Sequence, residues 1–366
     1  MQTESSAVIL LSRQPLRPSG QTLWIKKCCD AVKWVKKQKT SLYTSVGMQT
    51  WEMVLFLASK NSINQKIVIP ASNQNSILKI SDYMINQFNL DPGKVQFIPI
   101  DGNNKNFQKN RDSFVLNNAE ILIPVSIRNK GIFESFLKES QTPVINKFQT
   151  DYIKKESSLK KYSLHENTWN KNSFIFRNDY LFHWTRSSNN CWPGEKLYDF
   201  YSSILNSEVF PRNAFNTLLN ILDTKCVYGS SRHMPSKIKC VSFTGKSPVD
   251  FFNLMKWRTR YLEMSYEPYG IGISKSCTEK LGIKKVIYCK KFSECSFDER
   301  WFYQSDGKKG DWKQEEEYRY RGDFSFSDIP PEYIICICRY PQEAVFIEKQ
   351  YNIKTIHLFN NHESIY

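Results

Sequence analysis

No apolar stretch in this 366-residue chain comes near the ~20 residues that span a bilayer. Runs such as Ala7–Leu11 and Ile121–Val125 are strand-sized, so a membrane partner is not expected. The opening Met1-Gln2-Thr3-Glu4-Ser5-Ser6 has neither a basic leader nor a long apolar core, and a secretory signal is not expected either. The ten cysteines follow no disulfide framework: Cys28 and Cys29 are adjacent, and Cys336 and Cys338 sit in an apolar run. They read as reduced thiols of a cytoplasmic protein. The five histidines, His165, His183, His233, His357 and His362, form no HExxH box and no Cys/His zinc spacing, so no metal is expected. A Walker A box, a GxSxG elbow, a Cys–His signature and internal repeats are all missing.

What is present is a chain long enough for two domains. It is 40% hydrophobic and 14% aromatic, which is ample for real cores and excludes wholesale disorder. Its formal charge of +15 draws anions, with nucleic acid among the candidate partners and homo-oligomers not excluded.

The first 150 residues alternate apolar strands (Ala7–Leu11, Ser41–Val46, Lys66–Pro70, Val95–Ile98, Ala119–Pro124, Pro143–Ile145) with helical periodicity. In the first helix Trp24, Cys28, Ala31 and Val35 share one face. This pattern predicts an α/β domain with a parallel Rossmann-like sheet flanked by helices. Residues 151–172 are polar and lysine-rich, a linker candidate. Residues 173–366 read as an α+β domain with a mixed sheet. Its expected strands include Phe174–Thr185, Lys239–Thr244, Tyr269–Ser274, Lys285–Tyr288 and Glu332–Cys338, and its helices Glu195–Ser207, Ala214–Asp223 and Asp250–Leu262.

In the first domain Ser45-Val46-Gly47 ends a strand and Thr50 opens a helix. A glycine turn there lets backbone approach a ligand, and the helix N-terminus favours phosphate. Arg13 follows the first strand, Arg128 the fifth, and Arg111 opens the helix before it; arginine forks suit phosphate. Arg13, Ser45, Gly47, Thr50, Arg111 and Arg128 are therefore candidate ligand residues for a nucleotide or other phosphate-bearing ligand. Glu52 is either a first-turn acid favoured by the helix dipole or a glycosidic-bond carboxylate. The Ser45-Val46-Gly47 turn, Arg111-Asp112 and Gly131 resemble the SLOG superfamily, which joins the DNA-processing protein A fold to the LOG nucleotide enzymes. The PGGxGT box of LOG enzymes is missing, so the resemblance implies nucleotide sensing and not phosphoribohydrolase activity.

The second domain carries His183-Trp184-Thr185, Ser242 and the acidic run Glu315-Glu316-Glu317-Tyr318-Arg319. In a strand Glu315, Glu317 and Arg319 share a face; as an exposed run the acids pair with Arg319, Arg321 and Lys313. Gly229-Ser230-Ser231 and Arg232-His233-Met234-Pro235-Ser236 form a basic loop that reads as a plain turn, with a pocket wall or a phosphate contact as the alternatives. The stretches Phe182–Thr185, Tyr266–Ile271 and Trp312–Arg319 resemble an AbiGi-like abortive-infection family, and distantly the ADP-ribosyltransferases. That resemblance implies NAD as cofactor, with His183 at the ribose, Ser242 or Tyr269 shaping the pocket, Glu317 beside the oxocarbenium-like transition state, and Thr185 and Arg319 contacting ligand. Together the two resemblances imply an antiviral-defence protein of prokaryotes, a nucleotide sensor coupled to an ADP-ribosyltransferase-like effector. The alternative is a non-enzymatic nucleic-acid-binding or antitoxin-like regulator.

Overall fold

The computed structural model describes residues 5–101, 106–153, 170, 178–232, 234, 237–289, 296–305 and 312–360. Most of the 151–172 linker lies outside these residues, as do 174–177, His165, His233, Ser236 and His362. The chain divides into two compact units, Met1–Glu156 with Asn189–Pro211, and Ser157–Ser188 with Arg212–Tyr366.

In the first unit, strands β1 (Ser6–Leu11), β2 (Ser41–Ser45), β3 (Gln65–Pro70), β4 (Val95–Ile100) and β5 (Ile121–Ser126) pair in parallel in the order β4-β3-β2-β1-β5. The sequence shows why: alternate residues of β1 face two different cores. Ala7, Ile9 and Leu11 join one core, and Val8 and Leu10 join the other. Helices α1 (Leu23–Gln38), α2 (Gln49–Lys60) and α3 (Gln74–Phe88) feed the first core. Helices α4 (Phe107–Asn118) and α5 (Ile132–Glu139) feed the second. Helix α6 (Leu197–Leu205) also belongs to this unit: Phe200, Tyr201 and Ile204 enter the core beside Phe56 and Phe88. Gly20 marks how tightly it docks, since a Cβ there would lie 2.0 Å from the Leu205 carbonyl oxygen. The expected sixth strand at Pro143–Ile145 is reduced to one bridge, Leu122 to Val144.

The second unit is built on a mixed seven-stranded sheet. Its order is Lys284–Lys285, Glu317–Arg321, Cys240–Thr244, Tyr180–Trp184, Gly270–Ser274, Ile334–Cys338, Thr355–His357. The last pair is parallel and the others are antiparallel. One face packs on α7 (Ala214–Thr224) and on the helix Pro341–Tyr351; the other carries Phe182, Trp184, Ile335 and Ile337 against Phe251 and Phe252.

The expected helix Asp250–Leu262 is corrected. A short helix, Pro248–Phe251, runs into a 3₁₀ turn and then into a hairpin, Trp257–Arg258 against Glu263–Met264. The Ser265 hydroxyl ties the hairpin's base, accepting from the Lys256 N–H and donating to the Leu254 carbonyl. These local bonds compete with helix, and the polar stretch Lys256–Tyr261 offers no apolar stripe to oppose them.

Candidate functional site

The Glu317–Arg321 strand lies antiparallel to Cys240–Thr244, with Arg319 opposite Ser242 and Glu317 opposite Thr244. Cross-strand partners share a face, so Ser242, Thr244, Glu317 and Arg319 all project to one side. On the other flank Tyr180–Trp184 meets Cys240–Thr244 through a single pair, Phe182 with Thr244. Past that pair the strands part, and the His183 ring stands in for the ladder: its Nδ1 lies 2.9 Å from the Ser242 carbonyl oxygen. A carbonyl only accepts, so Nδ1 carries the proton and Nε2 is left as an acceptor. Burial lowers the His183 pKa, which favours this neutral form.

The fork opens a cavity of ≈ 80 Å³. Phe182, Trp184, Phe251 and Tyr266 form aromatic walls, and His183, Ser242, Glu315 and Glu317 supply polar groups. The Trp184 indole N–H is buried without a partner among the described residues. Glu317 is held from two sides. The Ser242 hydroxyl donates to Oε1 at 2.7 Å, while Arg319 Nε and Nη2 donate to Oε1 and Oε2, each at 2.8 Å. The remaining Arg319 donors go to the Trp301 and Tyr303 carbonyls at 3.1 and 3.2 Å, and to Gln304 Oε1 at 2.7 Å. All five guanidinium N–H groups are thereby engaged, so Arg319 orients Glu317 and has no donor left for a ligand.

Glu315 is the second carboxyl at the cavity. Burial, then the neighbouring Glu317, push its pKa up to about 7. Between the two acids, Glu316 takes a left-handed φ of 44°. That turn is pinned by the Gly245 N–H on the Glu316 carbonyl at 2.9 Å and by the Thr244 hydroxyl on the Glu315 carbonyl at 2.6 Å. A non-glycine residue in this region costs roughly 1–2 kcal/mol, and such strain collects at functional sites.

The structure thus brings His183, Ser242 and Glu317 to one cavity. It does not bring Thr185 or Tyr269 there. The buried Thr185 hydroxyl reaches the Ala214 and Tyr269 carbonyls. Tyr269 lies in the core on the opposite face and donates to Glu343 at 2.9 Å. Sequence reasoning missed Tyr266 as a wall residue and Glu315 as a pocket acid; Glu315 ends a 3₁₀ turn before the Glu317–Arg321 strand and does not share its strand face through period-two spacing.

In the first unit the strand order reverses between β1 and β5, where crevices form at carboxyl ends. There the Ser12 N–H donates to the Ser126 carbonyl and the Ser12 hydroxyl accepts from the Arg128 N–H, both at 2.9 Å. Gln14 Nε2 donates to the Ser126 hydroxyl at 3.0 Å, and the residues Arg13 and Arg128 are exposed. Gly47 has a φ of +83°, but its N–H donates to Glu52 Oε1 at 2.9 Å, so an internal carboxylate sits where an anion would. The Ser45 hydroxyl is buried on the Val68 carbonyl at 2.7 Å. Thr50 is 2% exposed, and its hydroxyl has no partner among the described residues. Arg111 is fully buried, stacked 4.8 Å over the Trp51 ring, bonded to the Val46 carbonyl at 3.2 Å and paired with Asp112 at 2.8 Å. Ser45 and Arg111 therefore serve the scaffold, while Arg13 and Arg128 face solvent at the switch point.

Among the described residues no three His, Cys, Asp or Glu side chains gather as a metal site would require, and no helix is long and apolar enough to cross a membrane. Compared with family models, with curated proteins and with solved structures, the chain matches none of them.

Proposed function

We propose that the second unit takes NAD as a substrate and cleaves its nicotinamide–ribose bond, transferring the ADP-ribosyl group to water or to an acceptor. The observation that carries this reading is the convergence of Glu317, Glu315, Ser242 and His183 on one aromatic-walled cavity. Its ≈ 80 Å³ suits one ring or one pentose, not a whole dinucleotide. The C1′–N bond breaks with its electron pair on the nicotinamide nitrogen, and positive charge grows on the ribose. Glu317, fixed by Ser242 and Arg319, is preorganised to stabilise that charge. A C1′–O bond forms to water, whose proton passes to Glu315, an acid tuned to about 7. His183 Nε2 accepts from a ribose hydroxyl. In the first unit, Arg13 and Arg128 are the residues left to meet a small phosphate-bearing ligand, consistent with a sensing role in an antiviral-defence effector.

The test is nicotinamide release from NAD by the full chain, followed by chromatography. Glu317→Gln keeps the side chain's shape and is expected to lower release at least ~100-fold, the usual scale for one electrostatic stabiliser. Because it also takes the carboxylate away from the buried Arg319, its thermal midpoint falls, and release is compared at a temperature where both proteins are folded. Wild-type protein that never releases nicotinamide, or a Glu317→Gln variant as fast as wild type, sinks the reading.

A further inference from the structure

Beside the cleft lies a cationic feature that the proposed chemistry does not use. The Trp257–Arg258/Glu263–Met264 hairpin turns its Trp257 and Met264 toward the core that contains Phe182 and Trp184. Alternation then sends Lys256 and Arg258 to the opposite side. At the hairpin's turn, the Arg260 and Arg232 guanidinium groups stand over the same Tyr261 ring, at 5.6 and 5.3 Å from its centroid. Lys256, Arg232 and Arg260 are exposed, and Arg258 is half-buried. None of these four has an ion-pair partner among the described residues; the hairpin's one acid, Glu263, is taken by Arg186 at 3.0 Å. The hairpin runs directly into the cavity wall, because Tyr266 follows Met264 by two residues. Arg258 also acts on the cleft: after burial and Glu317, it is the first cation counteracting the rise of Glu315.

We propose that this hairpin, with Arg232, is a phosphate-binding arm, and that its ligand is single-stranded nucleic acid serving as the acceptor; the acceptor role rests on the reading of the cleft given above. Arg232 and Arg260 over one ring, with the exposed Lys256 on the same hairpin, suit a polymer of phosphates, and guanidinium forks match phosphate oxygens in pairs. The chain's +15 charge favours the same partner. A single strand is the form whose unpaired bases and ends can approach the mouth of the cleft while the NAD ribose occupies it. In the transfer, the C1′–N bond to nicotinamide breaks with its electron pair on the leaving ring. A bond from C1′ to a nitrogen or oxygen of the nucleic acid forms, and the displaced proton goes to Glu315.

The experiment measures binding of a fluorescent oligonucleotide of about 20 nucleotides to the full chain by anisotropy across a salt series, without NAD. Arg232→Ala/Arg260→Ala removes two exposed cations and is expected to weaken binding at least ~10-fold and to flatten the log–log salt slope by about 1.4, or ~0.7 per single-strand contact. The single variant Arg260→Glu, at an exposed turn, guards against misfolding and must act in the same direction. Unchanged affinity and slope in both, or duplex bound as tightly as single strand, overturns the arm. With adenylate-labelled NAD, label on the oligonucleotide supports the acceptor role, and label only in free ADP-ribose overturns it. Oligonucleotide binding without any nicotinamide release takes down the cleft reading and the acceptor role while leaving the arm standing.

Discussion

The Tyr201 hydroxyl donates to Glu52 Oε2 at 2.7 Å, while Glu52 Oε1 receives the Gly47 N–H at 2.9 Å. A residue far along the chain thus closes the turn that follows β2. Tyr201 is 2% exposed and stacks on Phe88 at 6.0 Å and Phe56 at 6.1 Å between centroids. Burial, reinforced by the negative Glu52, pushes the Tyr201 pKa well up, so the hydroxyl keeps the proton it donates.

Tyr201→Phe removes that donor and leaves both ring stackings. The expected loss is about 1–2 kcal/mol, the cost of leaving Glu52 one partner short. It should show as a lower urea midpoint at constant m-value. A midpoint equal to wild type would mean that the bond contributes nothing.

Gly20→Ala tests the docking of α6. Its Cβ would lie 2.0 Å from the Leu205 carbonyl oxygen, and backbone cannot rotate away. A loss of about 1–3 kcal/mol is expected, the range for overpacking. Gly93→Ala, whose Cβ would have its nearest neighbour at 3.4 Å, is the control and should stay close to wild type.

Ser242→Ala leaves Glu317 clamped by Arg319 but removes one of its three hydrogen bonds. Losing about 1.4 kcal/mol of orientation corresponds to a tenfold slower nicotinamide release. The drop belongs in kcat; a change confined to KM would assign Ser242 to substrate binding.

Glu315 supplies the pH dependence. As the proton acceptor it must be ionised, so release rises with pH through about 7, and Glu315→Gln flattens the profile. Stability moves the other way. The folded value is raised above the ordinary 4.5, so the native state binds more protons between 4.5 and about 7. The contribution is full below 4.5 and is lost as pH rises through about 7. Thermal midpoints should therefore fall less between about pH 5 and 8 in Glu315→Gln than in wild type. Equal falls in both proteins would show that Glu315 does not titrate in this window.

The parallel sheet was legible because apolar runs such as Ala7–Leu11 have only one way to bury both faces. Glu317 and Arg319 were legible as a same-face pair from period-two spacing alone. Glu315 as a pocket acid was not, because it depends on the left-handed Glu316, and no local sequence rule assigns that conformation to glutamate. Tyr269 was named ahead of Tyr266 because the resemblance to ADP-ribosyltransferases implied a pocket-shaping residue at its position. What separates them is Glu343, 74 residues further on in the Pro341–Tyr351 helix that sequence periodicity did not flag. The membership of α6 was equally hidden: an amphipathic stripe says that a helix is buried, not against which core.

That membership has a consequence for the order in which the chain is made. Until residues 197–205 leave the ribosome, Phe56 and Phe88 lack the Tyr198 and Tyr201 rings that cover them. The Tyr180–Trp184 strand, with His183, is synthesised before α6 completes the first unit, yet its sheet partners Gly270–Ser274 and Cys240–Thr244 emerge later still. A polypeptide ending at 156 would therefore leave Phe56 and Phe88 without those rings, and the two units cannot be separated by any single cut in the gene.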